Sequence, residues 1–160
     1  MVIVSIAPEP VSLPHPALPA ADWADRHVFS GAGPQGTALE VSKRMLGRPP
    51  GWIRGLMALR NRIVSLFGLK AADLGVAETT SVAGFPVVSE REGQVVLGFN
   101  DSHLDFRIVV DVEAKGADNS KVAVTTLVKR HNAFGRLYIA VVTPFHRVIV
   151  RSTLGQLARD

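Results

Sequence analysis

The strongest constraint on the fold is a long segment, residues 85–130, in which apolar and polar side chains alternate. The alternation falls into four runs, which are Phe85 to Glu90, Gln94 to Phe99, Leu104 to Glu113 and Lys121 to Arg130. Successive side chains of a strand point to opposite faces, so each run predicts a strand with one apolar face. The linkers are short, and a parallel return needs a crossover of about a dozen residues or more. We therefore expect an antiparallel sheet.

A long helix is predicted at the C-terminus, over roughly residues 132 to 158. Apolar side chains recur there at helical spacing and form one stripe, which consists of Phe134, Leu137 or Tyr138, Val141, Phe145 and Val148. We expect this stripe to pack on the apolar face of the sheet, because each surface then removes the other from water. Pro144 predicts a kink beside His146, since proline removes an intrahelical hydrogen bond.

The N-terminal segment, residues 1–20, predicts an extended arm that is neither a helix nor a central strand. Five of the ten prolines of the chain fall within residues 8–19, and proline lacks the backbone donor that both structures use. Residues 21–160 are then about the size of one ordinary domain. This domain begins with a predicted strand over residues 22–30.

Two short helices are predicted between this first strand and the sheet segment. Thr37 and Glu40 have the spacing of a capping box, which predicts a helix from there to Leu46. Prolines suit the first turn of a helix, so Pro49 and Pro50 predict the start of a second one. Its apolar face contains Trp52, Leu56, Leu59, Ile63 and Phe67. The expected fold class is α+β, with a curved antiparallel sheet wrapped around the C-terminal helix and a pocket between the two.

Several kinds of chemistry are excluded or disfavoured by the residues present. The chain has no cysteine, which excludes disulfides, thiolate nucleophiles and cysteine metal sites. The five histidines lack the H-x-H and H-x-x-x-H spacings, so no metal is expected. Residues 31–36 match G-x-G-x-x-G, but a second helix follows where a parallel strand is required, and no acid lies between Glu40 and Asp73. We therefore expect no cofactor.

The distribution of charge bears on partners and location. Residues 41–72 and 119–159 each contain seven basic residues and no acid. This fits an anionic membrane or acidic partner, and equally a domain whose basic helices lie against a more acidic sheet. Nucleic acid is not expected, because no aromatic stacking platform is evident. The longest apolar candidate, residues 137–145, is far shorter than the ~20 residues of a spanning helix. With no secretory signal either, we expect a soluble cytoplasmic protein.

Two polar features allow both a structural and a functional interpretation. His103, Asp105 and Arg107 share one face of a predicted strand, which is typical of a solvated face with cross-strand ion pairs and less often of a substrate site. His146 lies among apolar neighbours, which is typical of a satisfied core histidine. Beside the predicted kink at Pro144, it is also a candidate for the wall of a pocket.

Four sequence runs carry a resemblance to known proteins. They are GRPPGWIRGLMALRN (47–61), FPVVSE (85–90), VVLGFNDSHLDFR (95–107) and HNAFGRLYIAVVTPFHR (131–147). These runs resemble an uncharacterised bacterial family that is described only as a domain of unknown function. The order of elements also resembles the helix-grip superfamily, which includes START lipid-transfer domains and polyketide cyclases (SRPBCC). The resemblance implies a cavity between sheet and C-terminal helix that holds an apolar or amphipathic small molecule.

The resemblance implies candidate ligand-binding positions but no reaction, because no single catalytic motif runs through that superfamily. The candidates are Arg60, Asn61, His103, Arg107, His131, Tyr138 and His146. The leading hypothesis is a binder of a small hydrophobic or amphipathic ligand. One alternative is a cyclase- or dehydratase-like enzyme in which His146, Tyr138 or His103 moves protons. Another is a peripheral binder of an anionic membrane or acidic partner. The sequence leaves the ligand, any reaction and the oligomeric state open.

Overall fold

The structure is a computed structural model that describes residues 4–33, 36–46, 81–82, 85–100, 104–116 and 119–159, with five single positions between 51 and 62. The protein is α+β, as predicted. Its strands are β1 Ser5–Pro8, β2 Trp23–Ala32, β3 Ser81–Val82, β4 Phe85–Arg91, β5 Gln94–Asn100, β6 Leu104–Ala114 and β7 Asn119–Arg130. Its helices are α1 Ala38–Leu46 and α2 Ala133–Gly155, and a 3-10 turn, Gln156–Arg159, follows α2.

The strands form one sheet in the order β1-β2-β7-β6-β5-β4-β3, and every neighbouring pair is antiparallel. The four strands predicted within residues 85–130 are confirmed as β4 to β7, and the first predicted strand is confirmed as β2. β1 and β3 were not predicted. β1 lies at the edge beside β2, where a strand that ends in proline loses few ladder hydrogen bonds.

The two faces of the sheet have different coverings. The inner face, defined here as the one that carries α1 and α2, holds a core of buried side chains. These are Phe29, Val95, Leu97, Val110, Val122 and Val124 of the sheet, packed with Val41 and Met45 of α1 and Val150 and Leu154 of α2. On the outer face, Val96, Val109 and Leu127 pack against Leu18 and Ala21. The N-terminal arm therefore covers the centre of the face opposite the helices.

The capping box at the start of α1 is confirmed. The backbone N–H of Glu40 donates to Thr37 Oγ1 at 3.2 Å, and the backbone N–H of Thr37 donates to Glu40 Oε2 at 3.3 Å. Most of the second predicted helix, from Pro49 to Phe67, lies outside the described residues. Within it the described positions, 51, 55, 58, 59 and 62, are helical.

The C-terminal helix α2 is confirmed within a few residues, but the face predicted to be buried is wrong. Leu137, Val141, Phe145 and Val148 are 54–62% exposed. The side chains that pack on the sheet and core are instead Ile139, Val150 and Leu154. α2 carries apolar residues on two faces, and spacing alone does not tell which face meets the sheet.

α2 is also longer and more apolar than the sequence argument allowed. Among the described residues it is the one helix whose length and composition match those of a membrane-crossing helix, with a mean hydropathy of 1.3 and 17% of that window buried. Its longest unbroken apolar run is short, because Arg and Thr interrupt it. Averaged over 18 residues, the two apolar faces together raise the hydropathy. Since one face packs on the sheet, we treat α2 as a surface helix.

Candidate functional site

Three titratable side chains meet on the inner face, where α2 crosses β2. Asp25 and His27 lie two residues apart in β2, so both point to the same face, and His146 comes from the middle of α2. Asp25 Oδ2 lies 3.2 Å from His27 Nδ1 and 3.4 Å from His146 Nε2. The side chains of Asp25, His27 and His146 are 15%, 3% and 19% exposed. We call these three residues the Asp25 cluster.

The facing atoms of the Asp25 cluster are poorly satisfied. Asp25 Oδ2, His27 Nδ1 and His146 Nε2 are buried, and none makes a hydrogen bond of good geometry within the part of the chain that the structure describes. Buried polar atoms are usually paired, because an unmet hydrogen bond away from water costs free energy. The carboxylate oxygen that the two imidazole nitrogens share is therefore a buried polar centre whose hydrogen bonding is incomplete.

The electrostatic environment favours a neutral His27 and an ionised Asp25. Burial lowers the pKa of His27 below its ordinary value of 6.5, and electrostatic interactions with Arg151, His146 and Arg147 lower it further, against the opposing effect of Asp25. Burial raises the pKa of Asp25. The contact with His146 and the electrostatic interactions with His27, His146 and Arg147 outweigh this, so the pKa is lowered overall from 3.8. At neutral pH the cluster holds one buried carboxylate beside a neutral imidazole.

Trp23 supports the imidazole of His146. It precedes Asp25 by two residues in β2, so it lies on the same face, and the centroids of the two rings are 5.7 Å apart at an interplanar angle of 74°. Edge-to-face arrangements of this kind are favourable. The indole therefore restricts the orientation of the imidazole towards Asp25.

A second part of the inner face is lined by aromatic side chains. Phe99 lies 4.5 Å from Phe106 between ring centroids, and Phe85 lies 5.3 Å from Phe106. Phe106 and Tyr138 both pack against the buried cluster of Leu104, Val128 and Ile139. We call Phe85, Phe99, Phe106 and Tyr138 the aromatic wall.

The aromatic wall lies beside the region that α2 covers. Most sheet contacts of α2 fall on β1, β2 and β7, whereas the three phenylalanines belong to β4, β5 and β6. All four side chains of the wall are half-buried. The inner face thus keeps an accessible apolar surface on one side of the helix and the buried Asp25 cluster under it.

The predicted site residues divide into three groups. Arg60, Asn61 and His103 lie outside the described residues. Arg107 and His131 do not join the inner face. Tyr138 and His146 lie on the inner face, Tyr138 in the aromatic wall and His146 in the Asp25 cluster. Trp23 connects the two, because it packs on the same apolar cluster as Tyr138 and against the ring of His146.

Arg107 and His131 make contacts that fit a structural role. The Arg107 guanidinium donates to Asn100 Oδ1 at 2.9 Å and to the carbonyl oxygen of Phe106 at 2.8 Å. It passes over Gly98, where a Cβ would lie 2.9 Å from its side chain. His131 Nε2 lies 2.9 Å from Asp105 Oδ1. For Asp105 and Arg107 these contacts agree with the interpretation as a polar, cross-linked face.

Sequence reasoning missed Asp25, His27 and the three phenylalanines as site residues. A signal for the first two was present. Trp23 and Phe29 are six residues apart in the strand predicted over residues 22–30, so they share one side, and the alternation places Asp25 and His27 between them on that apolar side. Polar residues in an apolar phase of a strand indicate a buried polar site, because their burial needs a compensating partner.

Neither a metal centre nor a cavity adjoins these two parts of the inner face among the described residues. Among the described residues, no group of three or more His, Asp or Glu side chains has a geometry that could hold a metal ion. A cavity of about 340 Å³ opens beside the start of α1, lined by Gly36, Glu92, Gly93, Val112, Glu113, Ala114 and Ser120. It lies away from both the aromatic wall and the Asp25 cluster, and it is not the pocket predicted between sheet and C-terminal helix.

Together the fold and the inner face define a small α+β protein with an antiparallel sheet and one long C-terminal helix. The chain belongs to the DUF2867 family, described as a protein of unknown function, whose model matches residues 17–153. This confirms the predicted membership of a family of unknown function. Comparison with the curated proteins and with the solved structures found no match in either set.

Proposed function

We propose that this protein binds a small hydrophobic or amphipathic molecule on the inner face of its sheet. The apolar part of the ligand lies on the aromatic wall, and a polar group reaches Asp25 and His146. The observation that carries this proposal is the cluster of four half-buried aromatic side chains beside the buried core of the inner face. Ligand sites are mostly apolar surfaces with a few directed polar groups, and this combination matches both requirements.

The proposal includes a helix-grip relationship for this bacterial family and a cytoplasmic location. The sheet order supports the former, because β2 pairs with the last strand β7 and the helix that follows β7 returns over the same face. Fold analogy is a weak argument for function. The proposal therefore rests on the wall and the Asp25 cluster.

Binding of N-phenyl-1-naphthylamine, a neutral apolar fluorescent probe with one N–H donor, tests the proposal. We expect its fluorescence to rise on addition of the protein and Phe99→Ala to weaken binding by at least about tenfold, because the probe loses one aromatic contact. Phe145→Ala is the matched control, since Phe145 is 54% exposed and does not belong to the buried clusters of the inner face. Circular dichroism establishes that both variants are folded. No binding by the wild type, or equal loss in both variants, would contradict the proposal.

A second candidate function is acid–base catalysis on the bound molecule, as in a cyclase or dehydratase. The contact between Asp25 and His146 favours it, because a carboxylate that orients an imidazole is a common arrangement for proton transfer. Asp25 would position the ring, and His146, the more exposed of the two histidines in the cluster, would meet the ligand.

NMR spectra of histidine-labelled protein test the contact with His146, which the catalytic candidate requires. If His146 touches the ligand, its imidazole signals should shift on addition of N-phenyl-1-naphthylamine, whereas those of His131, paired with Asp105, should not. The variants His146→Gln and His131→Gln assign the signals. An unchanged His146 signal at saturating probe would refute both the catalytic candidate and the proposed polar contact with His146, and only binding on the aromatic wall would remain.

A further inference from the structure

The outward side of α2 carries a surface that the inner-face site does not use. Leu137, Val141, Phe145 and Val148 are spaced by four, four and three residues, so they form one strip along the helix, and each is more than half exposed. Among the described residues eight large apolar side chains are at least 40% exposed, and four of them belong to this strip. Contiguous apolar surface of this kind is typical of an interaction site.

Basic side chains lie directly beside the apolar strip. Arg136, Arg147 and Arg151 are exposed and fall on adjacent positions of the helical surface, since a helix repeats every 3.6 residues. No acidic residue occurs between residues 119 and 159. The outward side of α2 is thus divided lengthwise into an apolar half and a positively charged half.

We propose that the outward side of α2 docks on an anionic lipid surface. The strip inserts among the acyl chains near the headgroups, and the three arginines contact lipid phosphates. Helices that lie in a membrane interface combine an apolar face with basic residues beside it. The buried contacts of Ile139, Val150 and Leu154 hold the helix on the sheet, so it lies along the bilayer surface and does not cross it.

Charge complementarity distinguishes a lipid surface from two other partners for this strip. A second copy of the chain would bring an identical acid-free helix against it. The basic segment 41–72 of the same chain, which also contains no acid, would bring like charges too. Like charges near each other are unfavourable, whereas an anionic bilayer supplies negative headgroups and an apolar interior together.

This docking surface is independent of the proposed ligand site, because the strip faces away from the sheet. Sedimentation of the full chain with lipid vesicles tests it. We expect binding to vesicles in which about a third of the phosphatidylcholine is replaced by phosphatidylserine, little binding to phosphatidylcholine alone, and weaker binding as salt rises.

Two variants test the two halves of the surface separately. Replacing Arg136, Arg147 and Arg151 by glutamine should reduce the partition coefficient by roughly a hundredfold, since each basic residue contributes about fivefold near an anionic surface. Val141→Ser with Phe145→Ser should reduce it by at least about tenfold through lost apolar burial. Neither change touches a buried side chain, so both proteins should fold.

The matched controls change the same chemistry elsewhere. Glutamine at Lys43, Arg44 and Arg91 removes three exposed positive charges away from α2, and Val88→Ser removes an exposed apolar side chain of β4. Both controls should bind anionic vesicles within about threefold of the wild type. Equal losses in controls and variants, no binding to anionic vesicles at low salt, or dimerisation through the strip without vesicle binding would each overturn the proposal.

Discussion

Leu154→Ala should lower the free energy of unfolding by about 2–5 kcal/mol, whereas Val148→Ala should change it by less than about 0.5 kcal/mol. Leu154 is fully buried in the core that joins α1, α2 and the sheet, and Val148 is 54% exposed one and a half turns earlier. Removing buried methyl groups leaves a cavity that the surrounding core fills only partly. An exposed valine in a helix loses little, because alanine has the higher helix propensity.

Urea unfolding followed by far-ultraviolet circular dichroism measures both free energies, provided that the denaturant slope is the same in all three proteins. Comparison of the Leu154→Ala and Val148→Ala variants tests which side of α2 faces the core, since both changes shorten an aliphatic side chain in the same helix. A large loss for Val148→Ala with a small one for Leu154→Ala would mean that the stripe expected from the periodicity is the buried one.

The protein should also lose stability on mild acidification, and the Asp25 cluster should account for a large part of this loss. The folded pKa of His27 lies below its ordinary value of 6.5, so between these two pH values the unfolded chain binds more protons than the folded one. The stability that a neutral His27 contributes is fully present above about 6.5, and it is lost as the pH falls from there through the folded pKa.

The lowered pKa of Asp25 acts in the same direction at lower pH. Its contribution is present above its ordinary value of 3.8 and is lost as the pH falls through its folded pKa. For one proton, the slope of the unfolding free energy against pH cannot exceed about 1.4 kcal/mol per unit. We expect the slope to rise as the pH falls below ~6.5, where His27 alone of this pair titrates, and to stay below this limit.

Urea unfolding at a series of pH values from about 7.5 to about 4.5 measures the slope. His27→Gln should reduce the slope as the pH falls below about 6.5, because glutamine does not titrate. His131→Gln is the control and should keep the slope, since His27 is intact in that variant. If His27→Gln retains the wild-type pH dependence, then the buried imidazole is not its source.

The sheet was predictable because its signals are local and agree with one another. A period of two, with turn residues between the runs, specified β4 to β7 to within about two residues. The capping box of Thr37 and Glu40 likewise located the start of α1, since both hydrogen bonds form within four residues of chain. Such features do not depend on what the element packs against.

The packed face of α2 could not be predicted, because two apolar faces on one helix satisfy the same periodicity. Ile139, Val150 and Leu154 are no more apolar than Leu137, Val141 and Val148, and tertiary contacts alone select between them. The edge strand β1 was missed for a similar reason. A run of four residues that ends at Pro8 carries no strong strand signal until β2 offers it a partner.

The candidate site was only half predictable. His146 was identified from its place beside Pro144 in an apolar helix, and the structure places it against Asp25. Arg107 was a candidate that shares its strand face with Asp105, and it has the polar surroundings expected of that face. The place of Asp25 and His27 in the site depends on the contact between Asp25 and His146. These two residues are more than a hundred positions apart in the chain, and no local sequence pattern reveals such a contact.

The position of β2 has a consequence for how the chain folds during synthesis. β2 pairs along its whole length with β7, and Trp23 lies opposite Val128. During synthesis β7 leaves the ribosome roughly a hundred residues after β2. Until then one edge of β2 has no neighbour, and unpaired edges invite association between chains. β1 can pair with the other edge of β2 at once. Closing the sheet at β7 is therefore expected to be the slow, late step of folding.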